Sequence, residues 1–566
     1  MELKWQLIDN HAPDQIENFA RQLNSSPILA RVLLNRGIED IDSARIFFRP
    51  NLQNLHDPFC MAGMDVAVER ILTALKKKEK ILIYGDYDVD GTTATAMLVR
   101  FFSALEHPVG FYVPDRLSEG YGVSQSGVQF AAQNGYDLVI TVDCGVTAHG
   151  AITTASQSGL DFIVCDHHQP GPELPPAVAV LNPKRTDCAY PFKELAGVGV
   201  AFKLAQALQQ ALALDEALLW SLTEFVAVGS AADIVPLTEE NRILVRYGLQ
   251  NLSRSRFLGM QALLTSSGLY GREIGTGQVV FVLAPRINAV GRMGDAGRAV
   301  RLLITENEQQ ARNIATILEA ENRQRRTIDE QTFLEAVAQL EHRFEDPTEE
   351  HVLVLHKEGW HPGVIGIVAS RLVEKYYRPT IMISTEEGVG KGSARSIPGF
   401  DIYRALQACR DLMVQFGGHK YAAGLVVKTE RISELRRRLN EVAAEVLTQE
   451  LLTPKLWIDA EVRIKELTPD LLKLLDRMAP FGPQNMRPVF MTRGLQVVGT
   501  PHIVGKNHLK FKVRQDDVVM DAIGFELGNL IYRIASGERN VEMVYTVEEN
   551  EWQDRKRTQL RVRDLR

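Results

Sequence analysis

The sequence predicts a multidomain α/β protein: a doubly wound, mostly parallel sheet domain, a long linking helix, a smaller second α/β domain and a C-terminal β-barrel. Three observations carry this expectation. From about residue 51 to 240, strand-like apolar runs alternate with helical patterns, as βαβ units require. No glycine or proline interrupts the stretch between Gly297 and Pro347. Beyond Trp457 helices nearly vanish, and short alternating or apolar runs take over.

Composition bounds the possibilities before any motif is read. A chain of 566 residues exceeds the capacity of one core, so roughly three or four domains are expected. Hydrophobic content of 45% and charged content of 24% are those of an ordinary soluble globular protein. No apolar run approaches the ~20 residues that cross a bilayer, and the N-terminus lacks the basic-then-apolar order of a signal peptide. A cytoplasmic protein without membrane partners is expected. Cys60, Cys144, Cys165, Cys188 and Cys409 are odd in number and show no C-x-x-C spacing, which favours reduced core residues over disulfides or zinc. Lys plus Arg total 64 against 71 for Asp plus Glu, a net charge of -7. This argues against a surface coated with non-specific nucleic-acid affinity and leaves room for a local basic groove.

Residues 1–50 read as a helical leader whose clearest apolar face is Pro27–Leu34. The first α/β domain, 51–304, takes its strands from Ile81–Tyr84, Val109–Val113, Leu138–Val142, Phe162–Cys165 and Val178–Leu181. Over 305–346, Ile314, Ile317, Leu318, Leu334, Val337, Leu340 and Phe344 keep helical spacing, and one helix of that length would reach roughly 50–70 Å. Two packed helices with a charged elbow at Arg323–Arg326 are the alternative. Residues 347–452 start a second α/β pattern at His351–Leu355, run through Pro379–Ile383 and a glycine-rich strand, Gly390–Arg395, and end in a helix near Glu450. Residues 453–566 offer short strands and one helix, Leu471–Met478, which suggests a small barrel of the oligonucleotide-binding kind. There Lys506, Lys510, Lys512 and Arg514 interleave with His508 and Phe511. That pattern suits stacking of single strands beside a cationic groove, or is ordinary strand alternation.

The chemistry concentrates where apolar segments end. Ile81–Tyr84 runs into Asp86, Asp88 and Asp90 at alternate positions, and carboxylates crowded this way repel unless cations sit between them. A calcium-binding helix-loop-helix would need a glutamate at loop position 12, where Met97 stands. The reading that remains is a strand-end cluster followed by a helix from Thr92 to Leu105. Val139–Gly145 places Asp143 at the next strand tip, Ile163–His168 adds Asp166, His167 and His168, and an apolar segment ends at Asp233. Parallel strands deliver their carboxyl ends to one edge, so these groups can converge. Alone, each is more often a helix cap or a satisfied polar residue. Together they form a hard, oxygen-rich site suited to manganese or magnesium more than zinc or copper. Two such ions, roughly 3.5–4 Å apart, clamp both oxygens of an in-line displacement, which implies phosphoester hydrolysis.

Taken in order, Asp-Tyr-Asp-Val-Asp-Gly, Val-Asp-Cys-Gly, Asp-His-His and Ala-Asp resemble the DHH phosphoesterase superfamily. Val113–Gly122, Pro285–Gly294, Gly392–Arg395 and Phe416–His419 look like its RecJ branch, the bacterial single-strand-specific DNA exonucleases. The likeness runs from about residue 27 to the C-terminus. It implies one metal held by Asp88 and Asp143 and a second by Asp90, Asp143, His167 and Asp233, with Asp143 bridging. Asp86 and His168 would lie in or beside these ligand sets as catalytic groups with Asp143, or His168 would instead bind the scissile phosphate. One departure stands out: many superfamily members carry a histidine ligand where this chain has Tyr84.

Arginine's fork matches phosphate oxygens, and glycine lets main-chain N–H groups approach an anion. Ser393, Arg395, Gly417, Gly418 and His419 of the second lobe, with Arg116, Arg286, Asn288 and Arg292 of the first, are therefore the expected substrate contacts. The resemblance implies that some of them enclose a 5′-terminal phosphate. An interlobe structural role for the Arg286–Arg292 segment stays open. The function implied is a two-metal exonuclease that degrades single-stranded DNA from 5′ to 3′ into mononucleotides, in repair and recombination. It would act as a monomer alongside a single-strand-binding protein and a helicase. A DHH-type oligoribonuclease or small-phosphoester hydrolase, and an inactive replication scaffold, are the alternatives.

Overall fold

Runs that are apolar at every position, such as Ile81-Leu82-Ile83-Tyr84, can only be buried on both faces, and this dictates a covered parallel sheet. In the computed structural model such a sheet has five parallel strands, in the spatial order Val109–Tyr112, Ile81–Gly85, Leu138–Val142, Asp161–Cys165 and Ala179–Leu181. The described residues are 3–116, 118–344, 346–535, 540–552 and 555–566. Met1, Glu2, Leu117 and Glu345, which fall within segments expected from sequence, lie outside them. Alternate residues Leu82, Tyr84, Val139, Phe162 and Val164 pack on one face against Val128, Ala131, Ile152 and Ala155 from two helices. The Val89–Ala104 and Gly197–Ala211 helices pack on one another and against the strands. The chain order of the strands is 2-1-3-4-5, so the sheet reverses direction between the Ile81 and Leu138 strands. A crevice opens at such a reversal beyond the carboxyl ends.

The stretch between the two lobes is one helix, Glu308–Arg343, of 36 residues and about 54 Å. No elbow forms at Arg323–Arg326. The helix does not stand free: Ala311, Ala315 and Leu318 are buried in its first half, and Ala336, Val337 and Leu340 pack in its second half with Leu353, Leu355, Val364 and Val368. Asn307 caps it, accepting the N–H of Gln310 at 2.9 Å.

The second α/β lobe is a five-stranded sheet in which Leu353–Glu358 and Thr380–Glu386 are parallel and Val389–Arg395, Ala422–Lys428 and Met413–His419 continue antiparallel. Ala394, Ala423, Leu425 and Val427 turn inward against Leu435, Leu439 and Ala443 of the Ile432–Val446 helix. The Pro362–Tyr376 helix covers part of the other face. Both lobes and the long helix lie in one compact unit, 58–233 with 248–454.

The second unit comprises 3–57, 234–247 and 455–566. Its five-stranded barrel is closed by pairing Val489–Val504 with Val541–Trp552, as the C-terminal pattern predicts. Three expectations are corrected here. The 1–50 segment is not a separate, purely helical leader: Lys4–Leu7 is a strand paired parallel to Lys455–Ile458, and Leu29, Val32, Leu33 and Phe19 share one core with Phe490, Leu495 and Tyr545. Its apolar face is too large for three short helices to cover by themselves. Residues 51–57 and 234–247, expected in the first domain, also belong to this unit. Arg242 explains part of that, donating to the carbonyls of Phe47, Met478 and Ala479 at 3.2, 2.7 and 3.1 Å. Phe511 is likewise a core residue and not a stacking ring, because the strand turns Lys510, Lys512 and Arg514 outward and Phe511 inward. Phe525 and Tyr532, like Trp457, are exposed rings of this unit; Phe525 stands edge-on to His508 with Arg561 over it.

Candidate metal centre

The aspartates of the first motif serve different ends. Asp88 caps the Val89–Ala104 helix, its Oδ1 accepting the N–H of Gly91 at 3.0 Å, so the helix starts earlier than the pattern suggests and Asp90 sits in its first turn. Both Asp90 oxygens are engaged, accepting the N–H groups of Gly197 at 2.7 Å and Val198 at 2.9 Å where another helix begins. That helix start is positively polarised and steadies the buried charge. A Cβ on Gly197 would lie 2.6 Å from Asp143 Oδ1, and one on Gly91 2.6 Å from the Asp86 main chain. Only glycine lets these segments approach so closely. Asp143 follows its strand in a left-handed conformation, φ 59°, with its N–H on Cys165 O at 2.9 Å. Asp233 ends the Thr223–Ala232 helix.

These residues converge around His167. Its Nε2 lies 3.2 Å from Asp143 Oδ1, 3.6 Å from Asp233 Oδ2 and 3.9 Å from Asp90 Oδ2. Asp86, Asp88 and Asp143 offer oxygens that all lie within 4.8 Å of one another; so do the ligand atoms of Asp90, His167 and Asp233, and those of Asp143, His167 and His168. Among the described residues, Asp86 Oδ1, Asp143 Oδ1 and both nitrogens of His167 are buried without a hydrogen-bond partner. Leaving such groups unpaired costs ~1–3 kcal/mol each, more for charges. Unbonded carboxylate oxygens around a neutral imidazole fit hard divalent cations, and Asp143 belongs to both sides of the arrangement.

The electrostatics agree. Burial, then repulsion from Asp88, pushes the Asp86 carboxyl well above the ordinary range. Burial and Asp233 do the same to Asp90, and burial and Asp90 to Asp143. Asp233 is pushed up to about 7 by burial and Asp88, and burial brings His167 down to about 3. A bound divalent cation would offset this repulsion. Asp166 is different: burial works to raise it, yet bonds from His168 and the main chain hold it low. It accepts the N–H groups of Val146, His167 and His168 and, at 2.8 Å, Nδ1 of His168. It is therefore an orienting group and not a free ligand. Burial works against protonation of His168, but Asp166 keeps it above the usual histidine range.

Comparison with known proteins gives this geometry a context. Family profiles described as "DHH family, N-terminal domain", "DHHA1 domain" and "RecJ OB domain" match residues 80–230, 349–445 and 458–564. The chain is 40% identical over 565 residues to the single-stranded-DNA-specific exonuclease RecJ of Bacillus subtilis, covering 99% of this chain and 70% of that one. It is 36% identical to the Dickeya dadantii RecJ over 95% and 96% of the two chains. The chain belongs to the RecJ family. In structure it matches Thermus thermophilus RecJ in complex with Mn2+ at TM-score 0.85 and 29% identity, covering all of this chain and 79% of that one.

Among RecJ-family positions expected to meet substrate, the structure separates two groups. Arg116, Arg292 and Arg395 act electrostatically on one another; burial, then Arg116, Arg325 and Arg395, brings Arg292 down to about 9. Arg116 lies over the Tyr87 ring at 4.9 Å. Arg395 donates to Ser393 Oγ at 3.1 Å and to Ala394 O at 2.8 Å, with no carboxylate on it among the described residues. Register places Ser393, Gly424 and Gly417 in one row across the sheet and Arg395, Ala422 and His419 in another. The two rows form an open patch beside the Pro362–Tyr376 helix. Gly418 faces the opposite way at φ 143°, where a Cβ would meet Ala422 O at 2.4 Å, so its role is backbone packing and not contact.

Arg286 is corrected. Its Nε bonds Glu319 of the long helix at 2.7 Å and its Nη1 the Val282 carbonyl at 2.6 Å, which leaves it structural. Arg292 also ties the lobes through Gly363 O at 2.9 Å, with no carboxylate on it among the described residues. Asn288, half-buried, lies one turn before Arg292 on the same helix. Tyr84 is no ligand: its hydroxyl points to Gly122 O and the Ser124 N–H. Sequence reading missed Arg325, whose Nε is buried and unbonded beside Arg292. Its segment reads as a spacer, and only the packing of the long helix turns it toward the other arginines.

Proposed function

We propose that this protein is a single-strand-specific exodeoxyribonuclease that hydrolyses phosphodiester bonds stepwise from the 5′ end, with two Mn2+ or Mg2+ ions. One observation carries the chemistry: Asp143, with a buried unbonded oxygen, belongs both to a ligand group with Asp86 and to one with His167, whose ligand atoms are likewise buried and unbonded. The printed activity of the RecJ relatives supplies substrate and strand specificity. Polarity and release of mononucleotides rest on the motif resemblance.

In this reading Asp86, Asp88 and Asp143 hold one ion, and Asp90, Asp143, His167 and Asp233 the other. Ions held there would supply an activated water and offset charge on the phosphoryl group. The protein does the rest. Asp166 accepts a hydrogen bond from Nδ1–H of His168, which leaves Nε2–H to donate to a phosphoryl oxygen and favour the more charged transition state. Arg116, Arg292 and Arg395, with Ser393, Gly417 and His419, bind the terminal phosphate and the backbone behind it. The barrel's outward Lys510, Lys512 and Arg514 track a single strand, and Phe525 and Tyr532 stack on bases.

A cytoplasmic, monomeric enzyme in DNA repair, fed by a helicase and a single-strand-binding protein, completes the proposal. No helix among the described residues is long and apolar enough to cross a membrane, and the five cysteines are free thiols.

The test is manganese-dependent digestion of a single-stranded oligonucleotide labelled at either end, with a blunt duplex beside it. Early release of the 5′ label as mononucleotide, none from duplex, supports the reading in full. Release from the 3′ end overturns polarity. Activity confined to the shortest oligonucleotides points to a small-phosphoester hydrolase, and no activity with either metal to a scaffold.

A further inference from the structure

The hydroxyl of Tyr121 meets the metal centre at two points. It donates to the Asp143 carbonyl at 3.2 Å, and it lies 3.0 Å from Nδ1 and 3.4 Å from Nε2 of His168. The two rings meet edge to face, with centroids 5.5 Å apart. Each contact bears on a group the reaction depends on. Asp143 sits at φ 59°, a conformation unfavourable for a side-chain-bearing residue, and a bond to its carbonyl helps hold that peptide in place. The His168 ring is gripped by Asp166 through Nδ1 and closed from another side by Tyr121, so its remaining freedom to rotate is small.

Why Tyr121 turns inward is also legible. Gly120 and Gly122 flank it at φ 82° and 88°, bending the chain so that this one side chain folds back over the site. Behind the bend stands Tyr84, fully buried in its strand, whose hydroxyl accepts the Ser124 N–H at 3.1 Å and donates to Gly122 O at 3.2 Å. Glu119 completes the brace, accepting from Tyr112 Oη at 2.9 Å and from Ser124 Oγ at 2.5 Å. The side chain that occupies the place of a histidine ligand in other superfamily members therefore supports the segment carrying Tyr121.

We propose that Tyr121 is a positioning residue for phosphodiester hydrolysis, holding the His168 ring and the Asp143 peptide in register through its hydroxyl, and that Tyr84 braces it. The proposal rests on the reading of His168 as a group that meets the substrate phosphate. Steady-state kinetics on a single-stranded oligonucleotide at saturating Mn2+ test it, using wild type, Tyr121→Phe, Tyr84→Phe, His168→Ala and the Tyr121→Phe/His168→Ala pair. Tyr121→Phe is expected to lower kcat by about tenfold, the equivalent of one hydrogen bond made at the transition state, with KM and the thermal midpoint unchanged. Tyr84→Phe lowers kcat in the same direction by a smaller factor. In the His168→Ala background Tyr121→Phe should cost nothing further, which a merely structural tyrosine would not show. Wild-type kcat in Tyr121→Phe, or the same fold loss with and without His168, overturns the positioning role. An inactive wild type would instead overturn the nuclease reading.

Discussion

His167 Nε2 and Asp143 Oδ1 lie 3.2 Å apart, and neither atom has a hydrogen-bond partner among the described residues. With burial pushing the imidazole down to about 3, the ring is neutral at neutral pH and brings no positive charge to the carboxylate. A buried carboxyl beside a neutral ring has no counter-charge, an arrangement that costs energy until a cation lies between them. Asp143→Asn keeps the shape and removes the charge. Titration calorimetry should count two Mn2+ ions on wild type and fewer on the variant. The kcat for single-stranded DNA should fall by at least about 10³-fold, comparable with losing a principal electrostatic stabiliser.

The same crowding makes metal-free stability depend on pH. Asp86, Asp90 and Asp143 are raised above 3.8 in the folded protein, and Asp233 to about 7. A carboxyl raised on folding contributes stability that is fully present below its unfolded value and is lost as pH rises through the folded one. In EDTA the thermal midpoint should therefore fall as pH rises from near 4 toward and through 7. Asp233→Asn should flatten the fall. Mn2+, which displaces these protons, should raise the midpoint more at pH 8 than at pH 6. A midpoint in EDTA that ignores pH would contradict this account.

Arg286 and Arg395 should separate cleanly in kinetics. Arg286 is paired with Glu319, both side chains largely buried, while Arg323 Nε holds the other Glu319 oxygen at 3.0 Å, so Arg286→Ala leaves the carboxylate partly paired and should lower stability by about 1.5–3 kcal/mol with KM unchanged. Replacing both partners with methionine should recover most of that loss. Arg395→Ala breaks no ion pair and should raise KM for a 5′-phosphorylated strand without lowering the thermal midpoint. An Arg286 variant whose chief defect is KM would return that residue to the substrate path.

Arg242 is 2% exposed and donates to main-chain carbonyls at Phe47, Arg477, Met478, Ala479 and Pro480, with the Phe47 ring stacked at 3.8 Å. Arg242→Ala should destabilise the barrel unit by roughly 3–5 kcal/mol in urea, since bonds from a charged donor contribute ~1.5–3 kcal/mol each. Arg242→Lys should not rescue it, because an ammonium cannot span carbonyls spread around a planar fork.

By itself the sequence determined what neighbouring residues decide. Alternating apolar runs marked the parallel strands, and strand-end placement put Asp86, Asp88, Asp143, His167 and His168 on one edge. An uninterrupted helical spacing marked the long helix, and the motif order marked the family. Such features follow from local periodicity and from the carboxyl-end rule of parallel sheets, both carried within a few residues of chain. What only the tertiary structure decided is which groups are already spoken for. Arg286 and Arg292 share one motif, yet Glu319, 33 residues later in the chain, takes the first and leaves the second with no carboxylate on it among the described residues. Asp166 and Asp143 both stand at strand ends, yet main-chain N–H groups saturate one and leave the other bare. Tyr84, Tyr121 and Arg325 gained their places, and Phe511 lost its expected one, through packing between segments far apart in sequence. A hydrogen bond is settled by a distance of a few tenths of an ångström, and no spacing along the chain encodes that.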